Sequence, residues 1–254
     1  MNNRTRYGLL GKNISYSFSK KYFTEKFEKL ELTNLKYQNF DIPEIEEFPF
    51  LLYHREHEFR GINVTIPYKQ SVMRYLDEID VDAKEIGAVN TIKITDDNKL
   101  HGYNTDFYGF KKSIEPLLKN HHKKALILGT GGASKAIAYA LKKLNIEYKF
   151  VSRKSADNVF LYEALNEQII EEYTVIINCS PLGTHPNIEE SPNIPYEFIS
   201  EKHLLFDLIY NPSETKFLQL GKKNGAVIKN GLDMLAFQAE KSWEIWNSEK
   251  NFNL

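Results

Sequence analysis

A single cysteine, Cys179, stands in the 254 residues, so no intrachain disulfide can form, and such a chain suits a reducing compartment. Charge of one sign is also missing: 33 basic residues face 34 acidic ones, for a formal net charge of -1. Domains whose main task is holding nucleic acid carry a basic excess, which sets that class aside. No apolar run approaches the length needed to span a bilayer, and residues 1–10 lack the apolar core of a signal peptide. Internal repeats and low-complexity tracts are missing too. These absences lead to the expectation of a soluble, cytoplasmic protein with no membrane or nucleic-acid partner, and they leave the oligomeric state open. What remains is an ordinary globular balance, 42% hydrophobic and 26% charged, in a chain long enough for one large domain or two ordinary ones.

The first hundred residues alternate strand and helix patterns. Strands are expected at 6–10, 35–40 and 61–64, and a helix capped by Ser19 carries Phe23, Phe27 and Leu30 on one face. A second helix is expected to carry Val72, Met73, Leu76 and Ile79. Asp96-Asp97-Asn98 separates two apolar runs and reads as a hairpin turn. A helix opens at Thr105 or Asp106 and runs to Leu117. Beyond a polar connector at 119–124 the alternation becomes regular, with strands at 125–128, 148–151, 174–178, 204–208 and 226–229 and a last helix from about Leu232. Strands alternating with helices imply parallel pairing in a doubly wound sheet. The fold class is therefore α/β, a Rossmann-type nucleotide domain at 105–230 following an N-terminal α/β substrate domain at 1–104. The C-terminal helix, 231–254, is expected to pack back on the first domain.

The strand at 125–128 runs straight into Gly129-Thr130-Gly131-Gly132-Ala133-Ser134. This is a variant of the dinucleotide fingerprint, in which glycines allow the tight turn and backbone approach to a pyrophosphate held at the helix N-terminus. An ordinary glycine turn is the competing reading; the strand before and the helix after favour the nucleotide. At the end of the next strand, where an NAD site carries a carboxylate, this chain has Ser152-Arg153-Lys154. Two cations and a hydroxyl suit a 2′-phosphate, so NADP is the expected cofactor.

Other candidates read blandly. His54 and His57 have an H-x-x-H spacing without further ligands, so a surface pair is expected rather than zinc. His121 and His122 read as solvated, Cys179 as a buried structural thiol, and Trp243 and Trp246 as packing residues. Lys69 follows a strand and Asp106 starts a helix, where an anion is stabilised. On composition alone both are ordinary surface groups.

The pattern around them resembles the shikimate dehydrogenase family nearly end to end. It comprises Ser17-Phe18-Ser19, the stretch Asn63-Val64-Thr65-Ile66-Pro67-Tyr68-Lys69, Gly87-Ala88-Val89-Asn90-Thr91, and Gly102-Tyr103-Asn104-Thr105-Asp106. The glycine loop follows, then Asn178-Cys179-Ser180-Pro181-Leu182-Gly183, Asp207-Leu208-Ile209-Tyr210-Asn211-Pro212, and residues 231–239. The resemblance implies NADP-dependent, reversible reduction of 3-dehydroshikimate to shikimate on the way to aromatic amino acids. It implies that Lys69 and Asp106 flank the reacting oxygen. Ser17 and Ser19 would bind the substrate carboxylate, and Thr65, Asn90, Tyr210 and Gln238 its ring hydroxyls. Leu208 and Gly231 would join the glycine loop and Ser152-Arg153-Lys154 around the cofactor. The chain departs from the family pattern at Lys20, where proline is usual, at Thr184, where methionine is common, and at Ser152, where asparagine is frequent. Rival readings are a dehydrogenase preferring quinate or NAD, a methylene-tetrahydrofolate dehydrogenase, and an NADP-binding sensor without catalysis.

Overall fold

The computed structural model describes residues 5–15, 17–53 and 58–248. His54 and His57 lie outside the described residues. The chain divides into two compact units, residues 1–105 with 239–254, and residues 106–238. Among the described residues no helix is long and apolar enough to cross a membrane.

The first unit contains β1 (Arg6–Gly11), α1 (Phe18–Lys29), β2 (Lys36–Asp41), α2 (Phe48–Tyr53), β3 (Phe59–Val64), β4 (Glu78–Ile79), α3 (Val81–Ile86), β5 (Thr91–Ile94) and β6 (Leu100–Tyr103). They build one sheet in the order β2-β1-β3-β5-β6-β4. β1 runs parallel to both β2 and β3, while the β5–β6 hairpin pairs antiparallel with β3. Alternation along β1 sorts side chains to the two faces. Tyr7 and Leu9 join Phe23 and Phe27 of α1, whereas Leu10 joins Ile62, Val64 and Phe48.

The second unit opens with α4 (Asp106–Ile114). It continues through β7 (Lys124–Leu128), α5 (Gly132–Lys143), β8 (Glu147–Ser152), β9 (Val159–Leu161), α6 (Glu167–Glu172), β10 (Val175–Asn178), β11 (Leu204–Asp207), α7 (Lys216–Lys223) and β12 (Val227–Lys229). Its sheet is wholly parallel, in the order β12-β11-β10-β7-β8-β9. Counted from β7 this is the 3-2-1-4-5-6 order of doubly wound dinucleotide-binding sheets. Both faces of its centre are covered, so β7, β10 and β11 are apolar on both sides. Ala125, Ile127, Val175 and Ile177 face Phe110, Ile137 and Leu141; Leu126, Leu128 and Ile176 face Ile170, Phe217 and Leu218. The order reverses between β7 and β10, which opens a crevice at their C-terminal ends.

The last helix, α8 (Leu232–Asn247), serves both units. Met234 belongs to the core of the second unit, and Trp246 to that of the first, where its Nε1 donates to Ile92 O at 3.0 Å. The opening turns of α8, expected to pack back on the N-terminal domain, thus group with the nucleotide unit.

Three further expectations are corrected. The helix expected through Val72 and Ile79 is a 3-10 turn, Ser71–Tyr75, followed by β4. The reason is tertiary: Asp77 N and Asp80 N donate to Leu100 O and Gly102 O, and pairing with β6 overrides the helical spacing. The helix comes later as α3, capped by Asp80 and closed by Gly87 in the left-handed region. His122, read as solvated, is buried: its Nδ1 accepts from Lys119 N at 3.0 Å and its Nε2 lies 3.1 Å from Lys202 O. Its partner His121 is exposed and reaches the same carbonyl. Cys179, read as buried, is half-buried.

Burial lowers the pKa of both His122 and His101 below the ordinary histidine value. For His101, Glu78, Asp97 and Asp77 oppose the shift and Lys93 adds to it. For His122 the Lys202 carbonyl opposes it, while His121, Lys119 and His203 add to it. Below the unfolded value of about 6.5 the unfolded chain binds more protons than the fold, so this stability is intact above that pH and is lost as pH falls through it. We predict that the urea midpoint of the wild type drops between pH 7.5 and 5.5, and that His122→Gln drops less. An equal drop in both would place the titration elsewhere.

Candidate active site

In the first unit the candidate residues gather beyond the C-terminal ends of β1 and β3. Ser17 is the N-cap of α1, accepting from Lys20 N at 3.2 Å. It takes the role expected of Ser19, which lies two residues on, in the first turn of α1. Capping uses a lone pair of Ser17, and the O–H donor is a separate capacity of the same oxygen. Thr65 continues from β3, its N–H donating to Leu10 O at 2.9 Å. Half-buried Lys69 comes four residues later, and its carbonyl accepts from Val89 N at 2.7 Å, which fixes it beside the segment carrying Asn90.

A buried polar network lies beneath them. Tyr37 donates to Asn63 Oδ1 at 2.8 Å. Asn63 Nδ2 reaches Thr91 Oγ1 at 3.2 Å, Asn90 O at 3.3 Å and Ser242 Oγ of α8 at 3.0 Å. Asn90 Oδ1 accepts from Thr105 N at 2.6 Å, and Asn90 Nδ2 donates to Thr105 Oγ1 at 3.0 Å. Ser242 Oγ also meets Thr91 Oγ1 at 2.8 Å and Thr105 Oγ1 at 3.2 Å. Asn63, Asn90, Thr91, Thr105 and Ser242 are all buried. The network holds the backbone immediately ahead of Asp106.

In the second unit Asp106 is the first residue of α4 and is buried. Gly109, one turn on and on the same face, allows α4 to approach α8 closely: a Cβ there would lie 2.5 Å from Met234 O and 3.0 Å from Gln238 N. Buried Gln238 and Asp106 therefore share the α4–α8 junction. At the switch point Gly129 adopts φ +105°, which disfavours any side chain, and it sits against the backbone of Cys179 and Ser180. No side chain caps α5, whereas Ser17, Asp80, Asn166 and Thr215 cap α1, α3, α6 and α7. A Cβ on Gly131 or Gly132 would meet nothing within 4 Å. Uncapped N–H groups facing open space fit a pyrophosphate. Thr130 is exposed and Ala133 half-buried, while the buried Ser134 turns its hydroxyl onto Gly131 O at 2.6 Å and closes the loop. Arg153 and Lys154 are exposed past β8, with Lys154 N donating to Ser152 Oγ at 3.2 Å.

Gly231 is glycine because Leu208 crosses it: a Cβ would lie 2.2 Å from Leu208 O. Half-buried Tyr210 follows two residues after Leu208. Just before them, Asp207 is fully buried, and burial lifts its pKa to about 6 against the pull of its hydrogen bonds from Thr215, Ile209 and Asn178. Burial and the Asp207 carboxylate together push the Cys179 thiol up.

The family described as shikimate dehydrogenase substrate binding domain matches residues 9–92. A shikimate dehydrogenase (NADP(+)) of Methanococcus maripaludis is 40% identical, over 98% of this chain and 95% of its own. The chain belongs to the shikimate dehydrogenase family. Among solved structures, the shikimate dehydrogenase of Aquifex aeolicus superposes with a TM-score of 0.85 at 32% identity, covering 99% of this chain and 96% of that one. The shikimate 5-dehydrogenase of Thermus thermophilus, in complex with NADP(H) and shikimate, gives 0.79 at 29% identity, covering 96% and 93%.

Within this family the departure at Lys20 has a local meaning. Proline has no N–H, so Lys20 supplies the donor that lets Ser17 cap α1. Thr184 is exposed and donates its N–H to Pro181 O at 3.2 Å. Several residues that shape the site carried no role in the sequence reading: Ser242, Thr105, Asn63, Asn178 and Asp207. For Asn178 and Asp207 the signal is a polar residue ending an apolar strand, as in Leu204-Leu205-Phe206-Asp207. Ser242 has no such signal.

Replacing Ser242 by alanine removes one oxygen shared by Asn63, Thr91 and Thr105. We predict a loss of about 1–3 kcal/mol in urea unfolding, the cost of leaving buried polar groups unsatisfied. An unchanged midpoint would mean that the network does not depend on Ser242.

Proposed function

We propose that this chain catalyses the NADP-dependent, reversible reduction of 3-dehydroshikimate to shikimate in the cytoplasm, as a step of aromatic amino-acid biosynthesis. The observation that carries the cofactor half is the uncapped N-terminus of α5 behind its glycine loop, with Ser152, Arg153 and Lys154 past the neighbouring strand. The N–H groups of that helix end would hold the pyrophosphate, and the two cations with the serine hydroxyl the 2′-phosphate. Leu208 and Gly231 would complete the surface against the nucleotide. NADPH supplies the hydride to the carbonyl carbon.

The chain's own residues handle binding and the proton. Ser17 and Ser19 donate hydrogen bonds to the substrate carboxylate. Thr65, Asn90, Tyr210 and Gln238 fix the ring through its hydroxyls. Orientation matters because transfer between carbons requires near-contact geometry. Lys69, as the ammonium, donates to the ketone oxygen and gives up its proton as negative charge develops there. The carboxylate of Asp106 takes part in the proton's return in the oxidation direction.

The test follows reduced-cofactor absorbance while the protein turns over shikimate or quinate, each with NADP and NAD. The expected result is turnover fastest with shikimate and NADP. Faster turnover of quinate, or of NAD, would replace this reading with the rival dehydrogenase, and cofactor binding without turnover would replace it with a sensor. Lys69→Ala is expected to lower kcat by about 10²-fold or more, the scale for losing a positioned acid. A near-wild-type rate in folded protein contradicts the role. Arg153→Ala is expected to weaken NADP far more than NAD; an equal loss moves the phosphate contact elsewhere.

A further inference from the structure

Two loops of the second unit are fastened by one buried carboxylate. Asp207 ends β11 and is 0% exposed. Its Oδ1 accepts from Ile209 N at 3.0 Å and from Asn178 Nδ2 at 3.1 Å, and its Oδ2 accepts from Thr215 Oγ1 at 2.5 Å. Asn178, which ends β10, passes the hold onward. Its Oδ1 accepts from Ser180 N at 3.0 Å and Ser180 Oγ at 2.6 Å, and its Nδ2 approaches Leu182 O at 3.4 Å. Gly129 of the glycine loop lies against the Cys179–Ser180 backbone, and Gly231 against Leu208 O. The glycine loop, the loop after β10 and the turn after β11 therefore meet around the Asn178–Asp207 pair, at the crevice where such sheets take their ligand.

Among the described residues no lysine or arginine pairs with Asp207. An unpaired buried charge is costly, and an asparagine would fill the same space without it. The raised pKa is the signature of that cost, and perturbed carboxylates concentrate where function requires them. Charge-assisted hydrogen bonds are roughly twice as strong as neutral ones, so the carboxylate holds the two loops more firmly than an amide can.

We propose that Asp207 is a positioning residue for the dinucleotide, its carboxylate locking the loops after β10 and β11 against the glycine loop at the expense of fold stability. The inference rests on the NADP reading above. It separates two quantities that a purely structural residue would move together. Asp207→Asn removes the buried charge, so stability at pH 7.5 rises or holds, while the looser loops bind nucleotide less well.

The experiment measures NADP dissociation by titration calorimetry and urea midpoints at pH 7.5, for wild type, Asp207→Asn and Ser180→Ala. The expected result for Asp207→Asn is an NADP dissociation constant about tenfold or more above wild type, the scale of one charge-assisted hydrogen bond, with a urea midpoint equal to or above wild type. Ser180→Ala cuts the same hold at its loop end and is expected to weaken NADP severalfold with an unchanged midpoint. Wild-type NADP affinity in Asp207→Asn, or a loss of affinity matched by a loss of stability, overturns the proposal. If Asp207→Asn does not fold, unchanged affinity in Ser180→Ala overturns it alone. Failure of the wild type itself to bind NADP would instead overturn the cofactor reading.

Discussion

A loop that leaves the interior of a sheet carries backbone N–H groups with no strand partner, and every such group must find an acceptor. This chain meets the constraint in one way in both units, with an aspartate or asparagine at a strand end. Asp41, closing β2, accepts from Asn13 N and Ile14 N of the loop after β1. Asn90, just ahead of β5, accepts from Thr105 N. Asn178, closing β10, accepts from Ser180 N, and Asp207, closing β11, accepts from Ile209 N. Asn178 and Asp207 bond backbone two residues on, the physics of the Asx turn, whereas Asp41 and Asn90 hold a segment distant in sequence. The residues so fixed lie next to Ser17, Asp106, the loop abutting Gly129, and Tyr210.

Rigidity at these places matters because catalysis by positioned groups depends on geometry set before the substrate arrives. In the first unit neutral amides share this work with the Asp41 carboxylate, Asn63 and Asn90 meeting the hydroxyls of Thr91, Thr105 and Ser242. A charge does it in the second, where the hold must pass through Asn178 to a second loop. Glycine answers the complementary problem: a Cβ at Gly231 would run into Leu208 O and one at Gly109 into Met234 O, while Gly129 is held at φ +105°, which disfavours a side chain. Polar strand ends and glycine crossings together define the binding surfaces.

The doubly wound parallel sheet was legible because its strands alternate with helices and β7, β10 and β11 are apolar on both faces, as a covered parallel sheet requires. The glycine loop was legible from its strand-to-helix context. The helix expected through Val72 and Ile79 was not, because its residues satisfy a helical period while their backbone is claimed by β6, a contact that sequence spacing does not contain. Short helices such as α6, six residues long, leave too few turns for periodicity to register. Lys69 and Asp106 emerged through their motif surroundings, since neither residue type is informative alone. Ser242 stayed hidden because a serine inside an amphipathic helix looks like a surface residue until Asn63 and Thr91 are seen against it.

The claim that side-chain acceptors at strand ends hold the site loops is tested most directly by native-state hydrogen exchange of Thr105 and Ile209, two loop amides bonded to Asn90 Oδ1 and Asp207 Oδ1. The account predicts that both exchange as slowly as the mid-strand amides of Ile62 and Phe206, opening only when their unit unfolds. Exchange as fast as that of the exposed hairpin residue Asp97 would contradict it.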